Sequence, residues 1–307
     1  MLKLVNARAK PRAFFIFGKR NIVPVMKKTT LLALALKLIT LVTYAQTPTY
    51  KVYAVKFAES GYPFKVGDWA LNGPKNELIK IDFIVWLIKG NNGRNILVDA
   101  GFLGDSEDAK DFKLKSYQRP DSALLKLGVK PGDITDIIVS HPHWDHIDGL
   151  NLFPKAKVWI QKLDYEFFVG AAWQKPGEAG GYAKRDVINA VNLNLAGRLK
   201  LVDGDDKEII KGIKVYTGSK HTYNSQYVLV QAGKNRVILA SDNIWTYYSL
   251  QHLVPPSQGG TLDPAGYVKA MKRMKTLASD VKFIIPGHDS KQLEIFPKVA
   301  DGVVEIR

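Results

Sequence analysis

The chain has 307 residues, 46% hydrophobic and 24% charged, the composition of an ordinary globular protein rather than a disordered, collagen-like or polytopic membrane chain. It contains no cysteine, which excludes disulfide scaffolds, thiolate zinc sites and cysteine nucleophiles and leaves any metal to His, Asp and Glu. The net charge of +15 is concentrated at the start. Nine of the 44 basic residues and none of the 29 acidic ones fall in residues 1–45, so residues 46–307 keep 35 basic against 29 acidic side chains and offer no cationic groove for nucleic acid.

In chain order, residues 1–25, basic and containing Pro11 and Pro24, read either as a long extension or as sequence upstream of a start at Met26. Met26-Lys27-Lys28 then precede an apolar stretch, Leu31 to Val42, that ends in Thr43-Tyr44-Ala45. A basic start, a short apolar centre and a small-x-small site predict a secretory signal cleaved before Gln46, and hence an exported protein, periplasmic or secreted. The stretch is too short for a stable membrane span, which takes about 20 apolar residues, and Lys37 interrupts it.

Residues 46–307 read as a single domain without repeats or low-complexity linkers. Short Val/Ile/Leu/aromatic runs bounded by Gly, Pro, Asn or Asp predict strands at 51–57, 81–88, 95–98, 134–139, 157–161, 213–217, 227–231, 236–240 and 282–285. Helices are expected at 121–127, 163–169 and 264–277, the last with Asp263 as N-cap. This succession points to a layered α/β protein with sheets inside and helices outside. Residues 165–195 read as an irregular aromatic insertion, either covering the core or acting as a lid; they include Phe167, Phe168, Trp173 and Tyr182.

The informative segment is Ser140-His141-Pro142-His143-Trp144-Asp145-His146-Ile147-Asp148-Gly149, directly after the 134–139 strand. So many imidazoles and carboxylates in so few residues would bury polar rings without partners if they served only packing. Imidazole nitrogen and carboxylate oxygen suit zinc and similar divalent ions. On an irregular loop, His141 and His143 can converge on one ion while Asp145 and His146 turn toward a second. His252 has no motif around it and reads as a structural or surface residue.

HxHxDH after a hydrophobic strand resembles the metallo-β-lactamase superfamily, and further elements of that family's pattern follow along the chain: Asp99-Ala100-Gly101 after the 95–98 strand, Lys220-His221-Thr222, Ala240-Ser241-Asp242, and Pro286-Gly287-His288. The resemblance implies an αβ/βα four-layer sandwich, a metallo-hydrolase domain over 46–307, and two divalent ions with zinc the default. It assigns His141, His143 and His221 to one ion, Asp145, His146 and His288 to the other, and Asp242 to both, with Asp99 orienting the ligand loop. A hydroxide held between the two ions would attack the substrate, with Asp145 and Asp242 as the catalytic carboxylates and Asp145 the candidate proton shuttle.

A bridging Asp at position 242 sets the chain apart from true β-lactamases. The context Ser241-Asp242-Asn243-Ile244 is most similar to N-acyl-homoserine lactonases, which open a lactone ring and so quench quorum sensing. The resemblance therefore implies a small lactone or ester substrate, with a promiscuous arylesterase or phosphotriesterase as the alternative and a β-lactamase as a weaker one. It leaves a homodimer open. Several lactonases carry a Tyr that contacts the substrate carbonyl where this chain has Trp245, and Tyr223, Tyr247 and Tyr248 are candidates to replace its hydroxyl. Phe167, Phe168, Trp173 and Tyr182, together with Tyr62, Phe64 and Trp69, are expected to wall an apolar trough for an acyl tail.

Overall fold

The computed structural model describes residues 48–307. The predicted extension and signal segment, residues 1–45, lie outside the described residues. Among the described residues, no helix is long and apolar enough to cross a membrane.

Two sheets stack face to face. The larger, nine-stranded sheet runs in the order Lys298–Ala300, Val303–Ile306, Tyr50–Glu59, Asp82–Gly90, Asn95–Val98, Asp136–Ile138, Lys157–Gln161 and Leu199–Val202, with Ser116–Tyr117 paired to Tyr50–Glu59. It is antiparallel up to Asn95–Val98 and parallel from there on. The five-stranded sheet runs Lys207–Ile210, Ile213–Thr217, Gln226–Ala232, Asn235–Ser241 and Ile284–Pro286, with only the last pairing parallel.

The alternation of side chains along each strand explains the layering. In Asp82–Gly90, Ile84, Trp86 and Ile88 point toward the second sheet, where Val215, Val228, Val230, Val237 and Leu239 meet them. Phe83, Val85 and Leu87 point the other way, into a core shared with Phe102, Trp144, Leu150 and Phe168. The outer face of the small sheet, including Tyr227, Leu229, Ile238 and Ala240, is covered by Tyr267, Ala270, Met271 and Met274 from the helix Pro264–Leu277. Those positions recur at helical spacing, and each large side chain buried there contributes about 1.5–3 kcal/mol. Asp263 caps the helix by accepting from the Gly266 N–H at 2.9 Å, and Pro264 fills the first helical position, where its missing donor costs nothing.

Several sequence expectations need correction. The stretch 165–195 is largely regular: it holds most of the helix Lys162–Val169 and all of Lys184–Leu195. In the latter, Ala190 and Leu193 face the core with Val187 packed beside them, Asp186 is buried, and Ile188 and Leu195 are exposed. The helix expected at 121–127 starts at Pro120 and tightens to a 3₁₀ turn after Leu124. Short strands such as Phe64–Lys65, Leu78–Ile79 and Ser116–Tyr117 and the helix Tyr247–His252 had no expectation at all.

Candidate metal centre

The chemistry-bearing residues come together where strands of both sheets end. Asp136–Ile138 leads into Ser140 and His141, Ile213–Thr217 into His221, Asn235–Ser241 into Asp242, and Ile284–Pro286 into His288. His143 precedes the short helix Trp144–Ile147, which presents Asp145 and His146. Three sets of side chains offer ligand atoms within 4.8 Å of one another: His141, His143 and His221; Asp145, His146 and His288; and His141, His146 and Asp242.

Four of the five imidazoles are turned by a partner on Nδ1. His146 Nδ1 lies 2.9 Å from Asp99 Oδ2, His221 Nδ1 lies 2.7 Å from the Gly260 carbonyl, and His141 Nδ1 lies 2.9 Å from Ser140 Oγ. His288 Nδ1 faces the Asp82 carbonyl at 3.3 Å. Donation from Nδ1 leaves Nε2 as the lone-pair nitrogen, the arrangement a metal ligand needs. His143 is reversed, with its Nδ1 3.0 Å from His221 Nε2. Asp242 sits between the clusters: Oδ2 is 3.4 Å from His221 Nε2 and 3.3 Å from His288 Nε2, and Oδ1 is 3.1 Å from His288 Nε2 and 3.5 Å from His146 Nε2.

Asp99 is the anchor beneath. Fully buried, it accepts from the Ser140 N–H at 2.7 Å on Oδ1, and its Oδ2 meets Ser140 Oγ at 2.9 Å, Ser241 Oγ at 2.8 Å and His146 Nδ1. Since Ser140 and Ser241 close strands in different sheets, this one carboxylate fixes the two halves of the centre against each other.

Charge divides the centre into two sides. Burial, reinforced by neighbouring imidazoles, holds His143 down to about 3 and His141 well below the usual imidazole range, and burial also lowers His221. These three are neutral donors of lone pairs. Burial opposes protonation of His146 and His288 too, but carboxylates outweigh it: Asp145, Asp242 and Asp99 raise His146 well above its ordinary value, and Asp242 and Asp145 raise His288. The reciprocal attraction overcomes burial to hold Asp145 below, and Asp242 well below, the carboxylate range.

Buried His141 Nε2, His146 Nε2 and Asp242 Oδ1 have no hydrogen-bond partner among the described residues. Buried polar atoms without partners that converge on a common space are costly, and neutral imidazole nitrogen with carboxylate oxygen would satisfy a divalent cation there, so the donor set fits divalent metal.

Above these residues opens a cavity of about 740 Å³. Its wall includes Trp69, Phe112, Trp144, Phe167, Tyr182, Tyr223, Trp245 and Leu262, and its floor carries His143, Asp145, His221, Asp242 and His288. Phe167 stacks on Tyr223 at 4.6 Å with only 8° between the rings.

A sequence model of the metallo-beta-lactamase superfamily matches residues 85–288, which contain all of these ligand atoms. The chain belongs to that superfamily. An N-acyl homoserine lactonase of Azorhizobium caulinodans, AttM, is 27% identical over 260 residues, covering 81% of this chain and 92% of its own. One from Bacillus cereus is 27% identical over 191 residues, 61% of this chain and 69% of its own. A solved N-acyl homoserine lactone hydrolase, with N-hexanoyl-L-homoserine bound at its catalytic metal center, matches the fold with a TM-score of 0.65 at 20% identity, covering 83% of this chain and 98% of its own. The chain is thus a metal-dependent hydrolase of the metallo-β-lactamase fold, with His/Asp clusters for a dinuclear site.

Within this superfamily member the aromatic expectations divide. Phe167, Tyr182, Tyr223, Trp69 and Trp245 line the cavity; Phe168, Trp173, Tyr247, Tyr62 and Phe64 do not. Phe168 is fully buried in the main core. Trp173 donates its indole N–H to the Phe168 carbonyl at 2.7 Å and so closes the end of a helix. Tyr247 is held away by its backbone N–H, which donates to Asp289 Oδ2 at 2.9 Å. Tyr62 donates its hydroxyl to the Asp111 carbonyl at 2.8 Å, while Phe64 packs edge-on behind Trp69. Tyr248 packs on exposed His252, at the far end of its helix.

Asp164 is a residue the sequence did not single out. Buried on Lys162–Val169, it accepts from Thr222 Oγ1 at 2.7 Å and the Asn224 N–H at 3.0 Å, and so clamps the His221 loop to the helix bearing Phe167. Its burial pushes it up to about 6. In sequence it passes for an acid favouring a helix N-terminus.

Proposed function

We propose that the protein is a dinuclear metal-dependent lactonase that opens the ring of N-acyl homoserine lactones. His141, His143 and His221 hold one ion, Asp145, His146 and His288 the other, and Asp242 both, with zinc the metal. The observation that carries the substrate class is the cavity wall. It is aromatic and glycine-rich, contains no Lys or Arg, and has Glu178 as its one charged side chain apart from the proposed ligands. Such a wall suits an uncharged ester with an apolar tail and disfavours phosphodiesters, nucleic acid and carboxylate-bearing β-lactams. The lactonase names of the relatives support the same reading.

When bound, the two ions supply Lewis acidity, lowering the pKa of water and polarising the ester carbonyl. Asp145 lines the cavity beside His146 and His288, its Oδ2 3.2 Å and 3.4 Å from their Nε2 atoms. From there it takes the proton given up by the attacking water and returns it to the ring oxygen as the carbonyl–oxygen bond breaks. The products are the open hydroxy acid. Phe167, Tyr223 and Leu262 receive the acyl tail. The leader read at residues 26–45 makes export part of the same proposal.

The test is kcat/KM for N-acyl homoserine lactones of increasing chain length, beside a phenyl ester, paraoxon and a cephalosporin, with and without chelator. Each buried methylene adds about 0.8 kcal/mol, so kcat/KM should rise about fourfold per carbon until the cavity is filled, and chelator should abolish turnover. A flat chain-length profile with faster turnover of paraoxon would replace the lactonase by an arylesterase or phosphotriesterase on the same centre.

A further inference from the structure

Trp245 touches three of the proposed ligand residues at once. Its indole Nε1–H donates to Asp242 Oδ2 at 2.8 Å. Its ring meets His221 edge-on, with centroids 5.6 Å apart and planes at 76°. Its carbonyl accepts from the His288 N–H at 3.2 Å. The residue is itself held from behind, because its backbone N–H donates to the hydroxyl of fully buried Tyr267 at 2.9 Å. The indole is seated on Gly260, where an added Cβ would fall 2.4 Å from the ring. The carbonyl of the same glycine turns His221. Only glycine lets these two contacts coexist.

The hydrogen bond to Asp242 has a specific consequence. A carboxylate rotates about χ2 in a broad, two-fold well. With imidazoles on both sides, Asp242 alone has little to decide which oxygen faces which cluster. The indole N–H decides it by retaining Oδ2, which faces His221 Nε2 at 3.4 Å and His288 Nε2 at 3.3 Å, and by leaving Oδ1, which has no hydrogen-bond partner, toward His146 and His288.

We propose that Trp245 is a positioning residue for the metal centre, whose indole N–H fixes the Asp242 carboxylate between the two ligand clusters, and that it therefore presents to substrate an apolar ring and no hydrogen-bond donor. Trp69, edge-on to that ring at 5.2 Å, extends the apolar wall. Substrate carbonyl oxygen is thus polarised without help from residue 245, and recognition on this side of the cavity rests on ring contact. This inference depends on the metal-centre part of the proposed function and not on the identity of the lactone.

Trp245→Phe keeps an aromatic ring and removes the donor. Zinc affinity of the full chain is measured by competition with a chromophoric chelator, beside thermal unfolding of the metal-free protein. One of two zinc ions should bind about 10–100-fold more weakly, the range for losing a partner that orients a ligand, with little change in metal-free melting temperature. Trp69→Phe removes the neighbouring indole but not the donor, and should keep wild-type zinc affinity. Unchanged affinity in Trp245→Phe, or equal loosening in Trp69→Phe, would overturn the proposal.

Should Trp245→Phe not fold, ¹⁵N-indole spectra of the unaltered chain provide the readout. The Trp245 N–H should exchange slowly with solvent and shift on zinc addition; fast exchange would refute the hydrogen bond. A wild-type chain that binds no zinc would sink the metal-centre reading itself, whereas two ions bound with the same affinities in wild type and Trp245→Phe would sink only the role of the indole.

Discussion

Asp99 shows how one side chain can matter more than its distance from the chemistry suggests. It adopts a left-handed backbone, φ 61°, which Asp and Asn tolerate better than most residues. Its two oxygens serve the Ser140 backbone, two serine hydroxyls and His146. Asp99→Ala leaves those buried donors unpaired, so urea unfolding should show a loss of at least about 3 kcal/mol, with metal content falling as His146 loses its orientation. Asp99→Asn preserves the backbone preference and part of the bonding and should cost about half as much. A loss below about 1 kcal/mol in the alanine variant would mean that Asp99 is not the anchor. The family resemblance carried this residue, through the Asp99-Ala100-Gly101 element that follows a strand directly. It did not carry Asp164, whose partners Thr222 and Asn224 lie 58 and 60 residues away, a separation no local pattern encodes.

Helix phase explains why only part of the aromatic wall was legible. Phe167 and Phe168 are neighbours, but successive residues on a helix point about 100° apart, so one faces the cavity and the other the core. Sequence shows that both are aromatic and does not fix the rotation of Lys162–Val169 about its axis. The ligand loops were legible for the opposite reason, since each directly extends a strand whose apolar run marks its end. The loop before Lys184–Leu195 adds a constraint of its own. Gly181 has φ +78°, and a Cβ there would stand 2.7 Å from the His143 ring. Its carbonyl also accepts from the Trp144 N–H at 2.9 Å. Gly181→Ala should therefore cost about 1 kcal/mol in stability from backbone strain and also lower turnover and metal content. Gly128 has a comparable φ, +69°, with open space around it. Gly128→Ala should show a similar stability loss with wild-type turnover, and equal effects on turnover would remove the assigned contact with His143.

At the scale of the molecule, metal and proton compete for one side of the centre. His141, His143 and His221 are already held neutral, so only His146 and His288 must give up protons to serve as ligands. In the metal-free protein these two have raised pKa values. Their protonated pairing with Asp145 and Asp242 stabilises the fold fully below the unfolded imidazole value of about 6.5 and is lost as pH rises through their folded values. Metal binding has the opposite dependence. The melting-temperature difference between zinc-loaded and chelated protein should accordingly widen from pH 6 to pH 8. A gap that narrows over this interval would contradict the division of charge.

The same arrangement sets a timetable for synthesis. The Ser140–Ser241 contact joins positions 101 residues apart, and His288 faces the Asp82 carbonyl across 206. Strand Val303–Ile306, which follows Ile284–Pro286 in the chain, pairs with the distant Tyr50–Glu59 in the other sheet. Because a nascent chain emerges from its N-terminal end, the segment 141–146 is exposed well before residues 242 and 288 exist. During that interval an ion can be captured only by an incomplete set, and the non-local pairings that finish the set are slow steps. The full set of proposed ligands therefore exists only once the chain has folded as far as Ile284–Pro286, and capture of a second ion would report that the strand ends of both sheets have met.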